Sequence, residues 1–211
     1  MMRYERKYRI EGLPVAWVAQ SLRMHPASFR PLYPERRINN IYFDTPALTA
    51  FYQNVAGVPQ RRKHRLRWYG TDSQYLTNPV FEVKIKDGEL GTKDNLKLPS
   101  IEWSELSDTL GGVPQLRYLP LRPVLLNRYQ RAYFATPDER FRITLDWDLA
   151  FAPFSGFKPV EGFHFLPDQA VIMELKYAAE DDELAHWIMD SLAFRQTKNS
   201  KYVTGINLMM A

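Results

Sequence analysis

The sequence contains no cysteine. Disulfide scaffolding, thiolate metal sites and thiol nucleophiles are excluded together, and the absence fits a reducing compartment. No apolar run reaches the roughly 18 residues that a membrane-spanning helix needs, and Met1-Met2-Arg3-Tyr4-Glu5-Arg6-Lys7 has no apolar core of a secretory signal. The expectation is a cytoplasmic protein with no direct membrane insertion, which would reach a bilayer only through a membrane-protein partner. A strong charge of one sign is missing too: 28 Lys and Arg stand against 24 Asp and Glu, for a formal net charge of +4. Such a balance is compatible with an anionic partner without requiring one. No internal repeat, low-complexity tract or interdomain linker interrupts the chain. Its 211 residues, 45% of them hydrophobic, suffice for one sizeable core, so a single domain over residues 1–211 is expected.

What the chain does have is a recurrent two-residue period in which one phase is ionic and the other apolar. Phe81, Val83 and Ile85 alternate with Glu82, Lys84 and Lys86. The stretch from Arg3 to Ile10 sets Arg3, Glu5, Lys7 and Arg9 against Tyr4, Arg6, Tyr8 and Ile10, and the basic run Arg61–Tyr69 sets Arg65 and Arg67 against Leu66 and Trp68. Arg140–Asp148 places Phe141, Ile143, Leu145 and Trp147 opposite Arg140, Arg142, Thr144, Asp146 and Asp148, and Glu174 and Lys176 share a phase in Val171–Tyr177. Further strands are read at Asn39–Asp44 and Pro123–Phe134, where parity does not decide whether Arg128 or Arg131 faces inward. Asp87–Asn95 reads as a mobile loop. Helices are read after Pro14, with Val15, Val18 and Leu22 apolar, over Ala47–Val55, over Ser104–Leu110, and from Glu180 to about Gln196 with an apolar face of Leu184, Trp187, Ile188 and Leu192. The tail carries the basic pair Lys198 and Lys201.

Two architectures explain this pattern. Antiparallel strands could lay their apolar faces on helices and hold their charges in water. Alternatively the sheet closes into a barrel whose lumen carries the charges. Trp68, Phe81 and Trp147 all need cover on the apolar face, and the helices are few for one broad sheet, which favours closure. A lumen crowded with Arg and Lys is costly unless an anion occupies it. Arginines at alternate positions suit phosphate, onto which guanidinium groups fork, and Glu5, Glu82 and Glu174 could neutralise the cations or hold a divalent metal. Because acids share strands and phase with the bases, no open basic stripe for nucleic acid is formed. Outside these strands, His64 and His186 read as surface or helix residues, Tyr129 and Tyr177 as packing residues, and Asp146 and Asp148 as partners of Arg140 and Arg142.

Taken in order, Arg3-Tyr4-Glu5-Arg6-Lys7-Tyr8, Ile41-Tyr42-Phe43-Asp44-Thr45, Arg65-Leu66-Arg67-Trp68-Tyr69, Phe81-Glu82-Val83-Lys84, Tyr129-Gln130-Arg131-Ala132-Tyr133-Phe134, Arg142-Ile143-Thr144-Leu145-Asp146, Glu174-Leu175-Lys176-Tyr177 and Ser200-Lys201-Tyr202 resemble the triphosphate tunnel metalloenzyme superfamily. Within it they resemble the VTC domain, the catalytic module of the vacuolar transporter chaperone polyphosphate polymerase. The resemblance covers nearly the whole chain. It implies an α+β fold, a closed antiparallel β-barrel of about eight strands forming a charged tunnel, with helices packed outside. It implies a phosphotransferase that uses the terminal phosphate of a nucleoside triphosphate such as ATP to extend inorganic polyphosphate, with Mn²⁺ or Mg²⁺. The alternatives are a triphosphatase or polyphosphatase acting on the same substrates, and a non-catalytic polyphosphate-binding module. By motif, Lys7, Arg65, Arg67, Lys84, Arg131, Arg142, Lys176, Lys198 and Lys201 would contact phosphate, Arg131 being preferred to Arg128. Glu174, then Glu5, then Glu82 would be the metal ligands, and Lys93 or Lys97 would close over the mouth. The superfamily's first-strand motif is often Glu-x-Glu-x-Lys, and Arg3 here replaces the first Glu and removes one candidate ligand.

Overall fold

The computed structural model describes residues 3–72, 74–88 and 90–211. The alternating stretches become antiparallel strands: β1 (Arg3–Ile10), β2 (Arg30–Asp44), β3 (Arg61–Tyr69), the short β4 (Tyr75–Leu76), β5 (Val80–Asp87), β6 (Leu90–Lys97), the short β7 (Ile101–Glu102), β8 (Arg122–Ala135), β9 (Arg142–Pro153), β10 (Leu166–Asp168) and β11 (Val171–Ala178). Eight of them run β9-β11-β1-β6-β5-β3-β2-β8, and β8 pairs back onto β9, closing the barrel. β10 adds an outer strand on β9, and β4 pairs with β7 in a separate ribbon. Closure segregates the two phases of the barrel strands, one to the lumen and one to the outside.

The outward phase is apolar because it is covered. Val18 and Leu22 of α1 (Val15–Arg23) and Ala185 and Ile188 of α5 (Asp182–Asp190) pack on Tyr8, Ile143, Leu145, Met173 and Leu175. On the other flank Leu106 and Leu110 of α3 (Leu106–Gly111), with Ile101 and Trp103, cover Leu66, Trp68, Phe81 and Val83. Trp68 and Trp103 meet edge to face, with centroids 5.8 Å apart.

A third apolar cluster lies inside the barrel, at one end. The lumen-phase residues Leu125, Phe151 and Ile172 meet Phe51 of α2 (Thr49–Val55) and Tyr202 and Ile206 of α6 (Lys201–Met210). α6 sits so close that a Cβ on Gly205 would lie 2.6 Å from both the Leu125 and Phe151 side chains, so only glycine fits. Buried Asp44 ties the plug together. Its carboxylate accepts from the Ala50 and Phe51 backbone amides at 2.9 and 3.0 Å and from the Tyr202 hydroxyl at 2.5 Å. One end of the lumen is therefore sealed, and the opposite end is the mouth.

The wall has one seam. Among the described residues β1 pairs with β6 only at Arg3 and Gly91. Further along, the segment before α6 takes the place of β6: Thr197 N donates to Lys7 O at 2.7 Å and Arg9 N donates to Thr197 Oγ1 at 3.0 Å.

Several elements differ from the sequence reading. The expected loop over Asp87–Asn95 is largely the strand β6, formed because Asp87 and Leu90 pair across a tight turn at Gly88, whose φ of 58° glycine tolerates. Glu89, within that stretch, lies outside the described residues. β2 begins at Arg30 rather than Asn39, with register shifts between Pro31, Tyr33 and Arg36. The helix read from Glu180 to about Gln196 is α5, which stops at Asp190, and its buried face is Ala185 and Ile188, leaving Leu184 and Trp187 exposed. Buried His64 lies outside the lumen beside Phe81 rather than at the surface. No helix among the described residues is long and apolar enough to cross a membrane.

Candidate phosphate-binding site

The lumen between the mouth and the plug is a cavity of about 480 Å³. Ten basic side chains line it against three carboxylates. That formal surplus exceeds the +4 of the whole chain, so the rest of the chain is net acidic. The positive charge is concentrated in the lumen, not spread, which suits an anionic ligand.

All the sequence-predicted site residues line this cavity except Arg142 and Lys198. Arg142 opens β9 at the rim, where its half-exposed guanidinium binds Glu139 Oε2 at 2.8 Å. Lys198 is exposed, because the segment that carries it runs along β1 and turns Ser200 and Lys201 inward instead. Arg131 is the inward arginine of β8, and Arg128 lies outside over the Phe165 ring. Lys93 reaches in from β6, whereas Lys97 does not line the cavity.

Most of these cations are held by carboxylates or polar groups within the barrel. Fully buried Asp146 accepts from Arg131 Nε at 2.5 Å and Nη2 at 2.7 Å, and pairs with Lys201 Nζ at 2.5 Å. These two cations, rather than Arg140 and Arg142, are its partners, and Asp148 pairs with Arg37 instead. The left-handed backbone of Asp148 (φ 52°) marks the bulge where β8 and β9 shift register. Arg67 donates to Asn40 Oδ1 at 2.8 Å and to the Tyr129 hydroxyl at 3.1 Å. Tyr129 is thus part of the cavity wall, with the Lys201 ammonium 4.8 Å from its ring centroid.

The carboxylates divide into two groups. Glu82 is surrounded by cations: Arg65 Nε at 2.5 Å, Lys93 Nζ at 3.2 Å and Arg67 Nη1 at 3.7 Å. Burial alone would raise its pKa, but Arg65 and Arg67 override that and hold it far below the usual carboxylate range. Its geometry is that of a charge partner. Glu5 and Glu174 instead share the Lys7 ammonium, at 3.9 and 3.5 Å. Against the pull of burial, Lys84 and its neighbours lower Glu5 to about 2, and Lys7, Lys176 and Lys201 lower Glu174 as well. Both are anionic at any working pH. No cluster of three or more acidic or histidine side chains that could hold a metal exists among the described residues. The Glu5–Glu174 pair nevertheless fits one hard divalent ion, since such ions are commonly held by one or two carboxylates with phosphate and water completing the shell.

Two lysines are unusual. Lys84 binds both Glu5 oxygens, at 2.7 and 3.0 Å, yet burial and nearby Lys7 bring its pKa down to about 7. Lys63, beside the plug, donates to Ser200 Oγ at 2.8 Å and forms no ion pair among the described residues; burial, Lys7 and Lys84 push its pKa well below the ordinary lysine value. A multiply charged anion should restore both charges. Because the lowered Lys84 value lies below that of the free side chain, proton uptake on binding occurs between pH about 7 and 10.5, and affinity falls as pH rises through that window. Calorimetry with tripolyphosphate at pH 8, in buffers of different ionisation enthalpy, should give a larger uptake for the wild type than for Lys84→Met. Equal uptake would refute the assignment.

Lys63, Tyr129 and Tyr202 are cavity residues that the sequence reading left out. Lys63 sits in a run, Arg61–Arg65, that is charged in both phases, so alternation gave no signal there. The nearest available signal was its spacing: Lys63 is two residues from Arg65 and four from Arg67.

The architecture has solved counterparts. A candidate adenylate cyclase from Vibrio parahaemolyticus superposes with a TM-score of 0.57 at 14% identity, over 100% of this chain and 99% of its own. A candidate adenylyl cyclase from Hippeastrum, described by a dominant triphosphatase activity, gives 0.55 at 14% identity over 98% and 96%. Another from Bacillus halodurans gives 0.54 at 16% over 94% and 93%. At such identities the likeness is one of fold. None of the curated proteins matches the sequence. The model of the VTC domain family, by contrast, matches residues 2–113 and 113–210. With that match spanning almost every residue that builds the barrel and its lumen, the chain belongs to the VTC domain family.

Proposed function

We propose that this VTC domain is a phosphotransferase of the polyphosphate polymerase type, taking the terminal phosphoryl group of a nucleoside triphosphate and adding it to a phosphate or polyphosphate end. The observation that carries this is the surplus of ten bases over three carboxylates in a cavity of about 480 Å³, a size suited to a small ligand. Family membership supports the acceptor assignment.

In this reading the triphosphate enters tail first. Arg65, Arg67 and Arg131, pre-oriented by Glu82, Asn40 and Asp146, grip phosphate oxygens without reorganising, which is most of what phosphoryl transfer asks of a protein. Lys84, Lys176 and Lys201 neutralise the remaining charge. Glu174 and Glu5 would hold Mn²⁺ or Mg²⁺, which when bound would offset charge on the transferring group. An oxygen of the acceptor phosphate attacks the terminal phosphorus, the bridging bond to the β-phosphate breaks, and the nucleoside diphosphate leaves.

The sealed end favours a second reading, in which water is the acceptor. A product chain cannot thread past Phe51, Tyr202 and Ile206 and must back out of the mouth, which suits release of orthophosphate. Incubation with ATP and Mn²⁺ followed by a polyphosphate gel separates the readings. A ladder is expected; phosphate release without a ladder would establish the hydrolase, and neither product would leave a binding module.

A further inference from the structure

The mouth is built differently from the rest of the lumen. Two of its lining residues are tyrosines, Tyr69 and Tyr133. A third, Tyr33, packs edge to face on Tyr133 with centroids 5.6 Å apart. The Arg36 guanidinium lies 5.6 Å from the Tyr33 centroid and 5.8 Å from those of Tyr69 and Tyr133. Tyr33 and Tyr69 stay 48% and 39% exposed, so ring surface remains open at the entrance. Arg36 forms no ion pair among the described residues, unlike the inner arginines Arg65, Arg67 and Arg131.

The backbone is shaped to produce this group. Pairing of β2 with β8 breaks register on both sides of Tyr33, between Pro31 and Tyr33 and between Tyr33 and Arg36. Such irregularities re-aim side chains beside functional sites. Here they bring Tyr33 and Arg36 onto Tyr133, directly outside the pair of Arg36 with Arg131, whose guanidinium belongs to the phosphate site. Aromatic rings and a guanidinium plane at one spot form a stacking surface for a flat heterocycle, and stacking of that kind tolerates any base.

We infer that Tyr33, Arg36, Tyr69 and Tyr133 form a platform that holds the nucleobase of a nucleoside triphosphate whose phosphates lie in this cavity. The inference rests on the phosphate site proposed above and extends it outward. The triphosphate occupies the lumen, the ribose spans the rim, and the base lies on the platform in partial contact with solvent. Recognition is by stacking and not by base-edge hydrogen bonds, so adenine and guanine nucleotides should bind alike.

The test compares two ligands that share the phosphate chain and differ in the base. Tripolyphosphate and the β,γ-methylene analogue of ATP are titrated calorimetrically into the wild type, Tyr33→Ala and Arg36→Met. Each substitution should weaken the nucleotide analogue about tenfold and shift tripolyphosphate less than twofold, and the tripolyphosphate titration also verifies folding. Equal shifts for the two ligands, or no loss for the nucleotide analogue, would overturn the platform while leaving the phosphate site standing. Failure of the wild type to bind tripolyphosphate would remove both.

Discussion

Asp146→Ala should lower the stability of the domain by about 3–5 kcal/mol, the usual cost of removing one member of a buried ion pair and leaving its partner unmatched. For a chain of this size that is a fall in Tm of roughly 10 °C. The expectation rests on Asp146 being wholly buried and gripping two cations at once, Arg131 and Lys201. Burial alone would raise the Asp146 pKa, but Arg131 and Lys201 hold it below the usual range, so the stabilisation is present at neutral pH and is lost only as pH falls through the lowered value. Tripolyphosphate should restore part of the loss, because a phosphate group supplies the charge that the variant lacks. Asp148→Asn, which removes the charge and keeps a side chain that tolerates the left-handed backbone there, is the control. Its carboxylate is largely exposed and meets Arg37 at 3.3 Å, so less than about 1 kcal/mol is expected. Thermal melts with and without tripolyphosphate measure both, and equal melting shifts for the two variants would refute the distinction.

On the proposed metal-ligand role, Glu174→Gln should reduce turnover of ATP in Mn²⁺ by about 10²–10³-fold, the several kcal/mol of charge stabilisation at stake when such a ligand is lost. Anion binding without metal should move the other way. Removing a negative charge 3.5 Å from Lys7 and 3.1 Å from Lys176 leaves the cavity more basic, so tripolyphosphate affinity in EDTA should hold or rise. Glu82→Gln makes the contrast. Glu82 orients Arg65, so its loss should weaken tripolyphosphate in EDTA. Steady-state kinetics with matched EDTA titrations check the pair, and a parallel fall of turnover and metal-free affinity in Glu174→Gln would remove its metal-ligand role.

Much of the barrel was legible because its wall keeps two chemically opposite faces. In β1, β3, β5 and β11 the ionic residues gather mainly in one phase, and that phase proved to be the lumen phase, including Glu5, Lys7, Arg65, Lys84 and Glu174. β6 was not legible. Gly91, Asp94 and Asn95 disfavour strands locally, and the pairing with β5 over eight residues overrides that preference. The partners of Asp146 were missed for a related reason. Arg140 and Arg142 are near in sequence, but Arg131 lies across a strand pair and Lys201 comes from the last helix. Arg142 and Lys198 carried the right chemistry in the right motifs, and one step of geometry at the rim and one turn of chain before α6 put them elsewhere. The plug had no sequence signal, since it requires knowing that Phe51 and Ile206 enter the same opening.

A lumen stopped by Phe51, Tyr202 and Ile206 has a topological consequence. It admits a polymer only by a free terminus, as a sleeve sewn shut at the cuff admits a rope only end first. Linear phosphates of any length present such a terminus, with the excess trailing outside the mouth. Cyclic metaphosphates have none, and a linear chain capped by bulky esters at both ends offers none that fits. On the proposed phosphate site the domain would count chain ends, not phosphate residues: at equal total phosphate, short chains would occupy it more than long ones.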